Sequence, residues 1–320
     1  MGEDLSDPLA IAVGPLRLRN PILTASGTFG YGLEFADFLD LSRLGGLCTK
    51  GLSLTPHAGN APPRICETPA GMLNAIGLQN VGVEAFVREK LPRLRGLGAT
   101  VVANVWGDLE EDYVAVVQAL EDADGIAAIE LNISCPNVER GGMLFGNSPE
   151  LTASLVAKVR PATRRPLIVK LSPNAPDLVE SAKAARDSGA DVLSLVNTIV
   201  GMAIDPETAR PRLSFGTGGL SGPAIKPIAL RMVYQVARAL PGTPLMGIGG
   251  ISSLEDVLEF LAAGASAVQI GTANFRDPGI AGRLVDELEA HCQERSTSVA
   301  ALVGRAHRIV GPAREAGAEG

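Results

Sequence analysis

Residues 128–137 read Ala128-Ile-Glu-Leu-Asn-Ile-Ser-Cys-Pro-Asn137. The first part, Ala128 to Ile133, has the apolar character of a strand covered on both faces. Its far end is polar: Asn132, Ser134, Cys135 and Asn137 fall within six residues. Pro136 stops the strand, because it has no N–H to give to a ladder. A thiol flanked by carboxamides at the tip of a buried strand suits a site, since a thiol moves protons and amides hold planar polar ligands. The same residues also suit a small buried hydrophobe beside turn formers. The stretch alone leaves both readings open.

Outward from it, short apolar strands alternate with amphipathic helices. Strand candidates lie at 22–25, 46–50, 101–105, 128–134, 167–172, 192–198, 245–250 and 267–272. Helices fit between them, for example at 83–95, 110–121, 149–160, 177–188, 224–240 and 254–263. Ser148-Pro149-Glu150 opens the third of these with a cap and a proline at the first helical position. Residues 9–13 and 16–19 turn at Gly14-Pro15 and read as a hairpin, expected to close the bottom of a barrel. Eight β–α units without a linker predict a single (β/α)8 TIM barrel spanning 1–320 as one domain. A doubly wound sheet gives the same local pattern and is the alternative. Three connections are long, 51–82, 135–148 and 198–223. Each follows a strand, which places it at the C-terminal face where such barrels keep their sites.

Composition narrows the function. The chain has 320 residues, 46% hydrophobic and only 4% aromatic, enough for one large domain. A net charge of −7 and a pI near 5.2 argue against nucleic acid as a partner. No run of 18 apolar residues spans a membrane, and the acidic start Met1-Gly-Glu-Asp is no signal peptide. The four cysteines, Cys48, Cys66, Cys135 and Cys292, have no C-x-x-C spacing, and the three histidines are scattered. No metal or iron–sulfur site is predicted on this chain, and its location is expected to be cytoplasmic.

Polar residues recur at the predicted strand tips. Ser26 follows the first strand and Lys50-Gly51 the second; Asn104, Asn132, Lys170 and Asn197-Thr198 mark the next four. The chain has only 6 lysines against 22 arginines, yet Lys50 and Lys170 fall inside apolar strands. A buried ammonium is costly without a reason. The last two strands end in Gly249-Gly250 and Gly271-Thr272, bare amides of the kind that cradle phosphate in barrels. Gly218-Gly219-Leu-Ser-Gly222 is expected to add more amides ahead of the helix at 224. No G-x-G-x-x-G opens a helix after a strand, so the phosphate is not expected on a dinucleotide fold. Phosphate on one side and a cation inside the barrel suggest flavin mononucleotide (FMN), with Lys170 at the pyrimidine end of its ring.

Thr49-Lys-Gly51, Gly59-Asn-Ala-Pro-Pro-Arg64, Asn74-Ala-Ile-Gly-Leu-Gln-Asn80, Asn132-Ile-Ser-Cys-Pro-Asn137, Val169-Lys-Leu-Ser-Pro173, Asn197-Thr198, Gly219-Leu-Ser-Gly-Pro223 and Gly271-Thr-Ala-Asn274 together resemble the dihydroorotate dehydrogenases, over about residues 8 to 290. Ala25-Ser-Gly-Thr-Phe-Gly30 and Glu67-Thr-Pro-Ala-Gly-Met-Leu-Asn74 look like the NAD-linked two-subunit class, 1B, more than the fumarate-using homodimers. The resemblance implies FMN-dependent oxidation of (S)-dihydroorotate to orotate in pyrimidine biosynthesis. It implies that Cys135 is the base and that Asn74, Asn132, Asn137 and Asn197 hold the pyrimidine, with Thr198 beside them. The amides of Ala75, Ile76, Gly77 and Leu78 would hold the substrate carboxylate, and Lys50 would lie between substrate and flavin. Ser26, Lys50, Gly51, Asn104, Asn132, Lys170, Val196, Gly222, Gly249, Gly250, Gly271 and Thr272 would bind FMN. Electrons would pass to NAD through a partner subunit carrying FAD and a [2Fe–2S] cluster, a homodimer of this chain and its partners forming a heterotetramer. Val81 departs from the pattern, where Pro is expected after Asn80. The tail beyond about residue 305 carries no motif.

Three other readings use some of these residues: a fumarate-linked homodimeric dehydrogenase, a Schiff-base lyase built on Lys170, and a non-catalytic binding subunit. The lyase has no use for Cys135 or the four asparagines.

Overall fold

The computed structural model describes residues 7–134 and 142–309. The chain opens with an antiparallel hairpin, β1 (Ile11–Val13) and β2 (Leu16–Leu18), in the register Val13↔Leu16. Two parallel strands follow, β3 (Ile22–Thr24) and β4 (Gly46–Cys48). The first long connection carries a second hairpin, β5 (Ile65–Thr68) and β6 (Gly71–Asn74). Then come β7 (Val101–Val105), β8 (Ile126–Asn132), β9 (Leu167–Lys170) and β10 (Val192–Leu195). The last long connection holds β11 (Ile199–Met202), β12 (Ile204–Asp205), β13 (Arg210–Pro211) and β14 (Thr217–Ser221). Finally, β15 (Leu245–Ile248) and β16 (Ala267–Ile270) return to the barrel.

The eight parallel strands close in the order β10-β15-β16-β3-β4-β7-β8-β9. The fold is therefore the (β/α)8 barrel expected, and the doubly wound alternative is excluded by closure. Helices Glu110–Glu121, Pro149–Val159, Leu178–Asp187, Lys226–Ala239 and Leu254–Ala262 match those expected within three residues. Their starts are fixed locally. Ser148 accepts from the Leu151 amide at 3.3 Å, and Asp177 accepts from the amides of Val179 and Glu180, both at 3.0 Å. Ser253 and Asp256 form a reciprocal capping box.

Alternation along the strands divides the core in two. Outward residues such as Ile129, Leu131, Val169 and Leu193 pack under the helices. Inward residues Leu23, Cys48, Val102, Ala128, Ile168, Val192, Met246 and Ala267 form an apolar floor. Val13, Leu16 and Leu18 of the N-terminal hairpin pack onto that floor, so the hairpin does plug the bottom of the barrel.

Two differences from the sequence reading matter. The long connections 51–82 and 198–223 are not plain loops: they pair with each other in an antiparallel sheet of order β11-β14-β6-β5. Gly218 and Gly219 therefore lie within β14 rather than in a free amide loop. A Cβ on Gly219 would come within 2.0 Å of the Thr198 hydroxyl, so only glycine lets the two segments meet. Second, β4 ends at Cys48, which puts Lys50 beyond the strand rather than inside it.

Leu16 is 5% exposed and carries much of the hairpin's contact with the floor. Leu16→Ala should lower unfolding stability by ~3 kcal/mol, the usual cost of such a truncation. Urea denaturation of the ligand-free chain checks this; a loss below ~1 kcal/mol would mean the hairpin is not docked on the floor.

Candidate active site

The inward columns of the strands build the site from below. On β8 the column runs Ala128, Glu130, Asn132; on β7, Val102 then Asn104; on β9, Ile168 then Lys170. On β10 it runs Val192, Ser194, and on β16 Ala267, Gln269. In each column the lowest residue belongs to the apolar floor and the next is polar. Asn104, Asn132 and Lys170 then open onto a cavity of about 1410 Å³. That exceeds the ~300–1,000 Å³ typical of a pocket for one drug-sized molecule, leaving room for two ligands side by side.

The polar layer is one network centred on Glu130, which is fully buried. Its carboxylate accepts from Asn104 Nδ2 at 2.7 Å, Gln269 Nε2 at 2.8 Å and the Ser194 hydroxyl at 2.9 Å. Three donors from three strands satisfy a charge that would otherwise be very costly there. Asn104 Oδ1, buried on the other side of the same amide, has no partner among the described residues.

A second network ties the tips of β8 and β10. Asn197 Nδ2 donates to the Ser134 hydroxyl at 2.9 Å and to the Ser134 carbonyl at 3.2 Å, while its Oδ1 accepts from the Thr198 amide at 2.8 Å. Asn132 Oδ1 accepts from the Ser134 amide and hydroxyl, both at 3.4 Å. The Tyr113 hydroxyl, on helix Glu110–Glu121, donates to the Asn132 carbonyl at 2.8 Å and pins the strand end. Across the cavity, Asn74 at the end of β6 donates to the Gly219 carbonyl at 3.2 Å.

Both expected lysines line the cavity. Lys170 is 4% exposed, and its ammonium donates to a neutral partner, the Ser26 hydroxyl, at 3.1 Å. Burial pushes the Lys50 ammonium below the ordinary lysine range, and the nearby Arg64 charge pushes it the same way, against a smaller pull from Glu34. A cation held in that state favours a negatively charged neighbour.

The backbone supplies the remaining wall. Gly222, Gly249 and Gly250 have φ of 91°, 131° and 74°, a region L side chains rarely adopt. Gly271 differs: a Cβ there would meet no protein atom nearer than 3.7 Å, so the space it leaves belongs to the cavity. Gly51, Val196 and Thr272 complete this side, and the Thr272 hydroxyl donates to Ser221 at 2.8 Å.

Of the residues singled out in the sequence, Ser26, Lys50, Gly51, Asn74, Asn104, Asn132, Lys170, Val196, Asn197, Thr198, Gly222, Gly249, Gly250, Gly271 and Thr272 all face this one cavity. Ile76, Gly77 and Leu78 do too, with Leu78 held at the unusual φ of 55°. Ala75 stands apart: it is fully buried and its amide already donates to the Arg64 carbonyl at 2.8 Å. Cys135 and Asn137 lie outside the described residues. Glu130, Ser194 and Gln269 were missed. The argument applied to the lysines, a charge inside an apolar strand, applies equally to Glu130, two residues before Asn132 on the same face.

A parallel barrel with its polar cavity at the C-terminal strand ends is the frame of an α/β-barrel enzyme. Residues 9–292 match the family model for dihydroorotate dehydrogenase, and the chain belongs to that family. It is 55% identical over 297 residues to the dihydroorotate dehydrogenase B (NAD(+)) catalytic subunit of Citrifermentans bemidjiense, covering 92% of this chain and 97% of the relative. It is 56% identical over 283 residues to the protein of the same name from Geobacter sulfurreducens, covering 88% and 92%. With the counterpart from Trichlorobacter lovleyi the identity is 54% over 297 residues, 92% of this chain and 97% of the relative.

The lowered Lys50 value has a consequence for stability. An ordinary lysine titrates near ~10.4, so the unfolded chain holds this proton more tightly than the folded one. Stability is then reduced while Lys50 is protonated in both states, and it recovers as pH rises from the folded value toward ~10.4. Unfolding free energy of the ligand-free chain should climb over that window, with a slope that Lys50→Met lacks. Urea titrations at a series of pH values check this, and the same slope in both proteins would mean that Lys50 is well solvated.

Proposed function

We propose that this chain is the catalytic subunit of an NAD-linked dihydroorotate dehydrogenase, oxidising (S)-dihydroorotate to orotate in pyrimidine biosynthesis with FMN as its own cofactor. The observation that carries the reading is the one cavity onto which a buried lysine, a buried amide oxygen without a partner among the described residues, a row of bare glycine tips and the asparagine cluster all converge. The fit to FMN rests on the same features. Lys170 and Asn104 suit the polar pyrimidine end of the ring. Gly222, Gly249, Gly250, Gly271 and Thr272 suit a phosphate, and Gly271 leaves open the space a side chain would fill. When bound, FMN would supply the two-electron acceptor for the hydride that leaves C6 of the substrate.

The chain's own residues do the rest. Cys135 takes the C5 proton, so that loss of the C5 proton and the C6 hydride leaves the C5–C6 double bond of orotate. Asn74, Asn132, Asn137 and Asn197 hold the ring amides and carbonyls, with Thr198 alongside. The amides of Ile76, Gly77 and Leu78, with the Lys50 ammonium nearby, suit the substrate carboxylate. The Ser134–Asn197 contact fixes the strand tip from which the Cys135 segment departs.

Cys135→Ala should keep the yellow colour and bind orotate, yet reduce its flavin at least ~100-fold more slowly, the usual scale for losing a general base. In the unaltered chain reduction should quicken as pH rises, because a free thiol has a pKa near ~8.5 and only its thiolate accepts the proton. Stopped-flow reduction by dihydroorotate is the measurement. An unchanged rate in the mutant would remove Cys135 from the mechanism.

The relatives are named as catalytic subunits of an NAD(+) enzyme. We assign the route to NAD to a second subunit carrying FAD and a [2Fe–2S] cluster, in a heterotetramer built on a homodimer of this chain. This sequence has no dinucleotide fingerprint of its own, and no set of three or more metal-ligating side chains is gathered among the described residues. The purified chain should oxidise dihydroorotate with artificial dyes but not with NAD, and co-expression with the partner should restore NAD reduction. Rapid NAD reduction by the isolated, iron-free chain would overturn the two-subunit assignment.

A further inference from the structure

We propose that Glu130 is a positioning residue that sets both how the flavin ring is gripped and how readily it is reduced. The inference rests on the FMN reading above. Glu130 lies in the barrel interior one step below the cavity, and the three contacts to its carboxylate are all donors: Asn104 Nδ2, Gln269 Nε2 and the Ser194 hydroxyl. The carboxylate oxygens accept from all three, and Asn104 has a donor only on its Nδ2 side. Glu130 therefore dictates which way the Asn104 amide points. The NH2 must face Glu130, and Oδ1 must face the other way.

That oxygen is buried and without a partner among the described residues, and Asn104 lines the cavity. A buried acceptor left unpaired carries a desolvation cost, which a ligand donor would remove. The oxidised isoalloxazine ring has a single ring N–H, on its pyrimidine, and that group is the donor the site asks for. Glu130 thus converts an amide that could face either way into a fixed acceptor for the flavin N3–H.

The same carboxylate would place a negative charge in the buried interior below the cavity, on the strand next to the one that carries Lys170. Register sets Glu130 opposite Ile168, one inward position below Lys170. Both groups act on the buried Cys48 thiol lower in the barrel, Glu130 raising its pKa and Lys170 lowering it, after burial itself. The two charges oppose each other across the polar layer. Lys170 favours electrons arriving on the flavin, and Glu130 holds them back.

The test uses the chain stripped of flavin and reloaded, reading binding and midpoint potential rather than turnover. Wild-type apoprotein should bind FMN at least tenfold more tightly than N3-methyl-FMN, which has no N–H to give. Glu130→Gln keeps the shape but frees the Asn104 amide to turn, so this preference should fall below threefold. The same variant should move the midpoint potential positive by about 30 mV or more, a tenfold rise in the ratio of reduced to oxidised flavin affinity. Ser194→Ala leaves the charge in place but removes one donor that partly neutralises it, and should move the potential negative. A merely structural role would move both variants the same way, and that result overturns the proposal. So does a Glu130→Gln protein with unchanged preference and potential. Should Glu130→Gln fail to fold, equal binding of the two flavins by wild type, or a Ser194→Ala potential that is unmoved or positive, overturns it. A wild-type chain that binds no flavin at all removes the cofactor reading and this inference together, which distinguishes that failure from the others.

Discussion

A closed barrel of short parallel strands leaves each strand two kinds of position, and everything else follows from that constraint. Outward residues meet helices and must be apolar. Inward residues meet each other in a space with no water. A polar side chain on the inward face must then find a protein partner or open onto the cavity. The chain resolves this by height. The floor is wholly apolar and sealed by the N-terminal hairpin. The layer above is polar but paired, around Glu130. The top layer is polar and turned toward the cavity.

This layering explains why the site can be both rigid and charged. Asn104 and Lys170 sit on strands whose floor residues, Val102 and Ile168, are fully buried. Their side chains are fixed by partners from elsewhere in the chain, Glu130 on β8 and Ser26 just beyond β3. Groups held this way keep their orientation without reorganising when a ligand arrives, which is what electrostatic preorganisation requires. The cavity's opposite wall has a different origin. There Asn74 and Thr198 are brought in by the antiparallel sheet β11-β14-β6-β5, which couples the two long connections as one unit. The residues read as cofactor ligands thus lie mostly on the barrel. Those read as substrate ligands are shared between the barrel tips and this added sheet.

The family assignment fits the same division. Identity of 54–56% extends over 88–92% of the chain, across both the barrel and the two long connections. The inward polar layer is the part of that framework least visible in a residue-by-residue motif reading. Its members sit in the middle of apolar strands, where Glu130 and Gln269 look like interruptions.

The sequence by itself narrowed the fold to a closed barrel or a doubly wound sheet, and closure of the strands decided between them. Eight apolar runs alternating with helical spacing leave few other folds, and a local cap such as Ser148 fixes where a helix starts. The sequence also pointed to many of the cavity's residues: strand-end asparagines, glycines and lysines are read one strand at a time, and the loop residues Asn74 and Ile76 to Leu78 came from the family resemblance. What only the tertiary structure decided depended on pairs distant in the chain. The sheet joining β6 to β14 links residues such as Asn74 and Gly219, and no local pattern announces a pairing of glycine-rich segments that far apart. The commitment of the Ala75 amide to Arg64 is likewise a matter of folding back, not of composition. The direction of the Asn104 amide depends on Glu130, which shares its barrel interior only because β7 and β8 lie side by side. A sequence lists the donors and acceptors; closure of the barrel decides which of them face each other and which are left for a ligand.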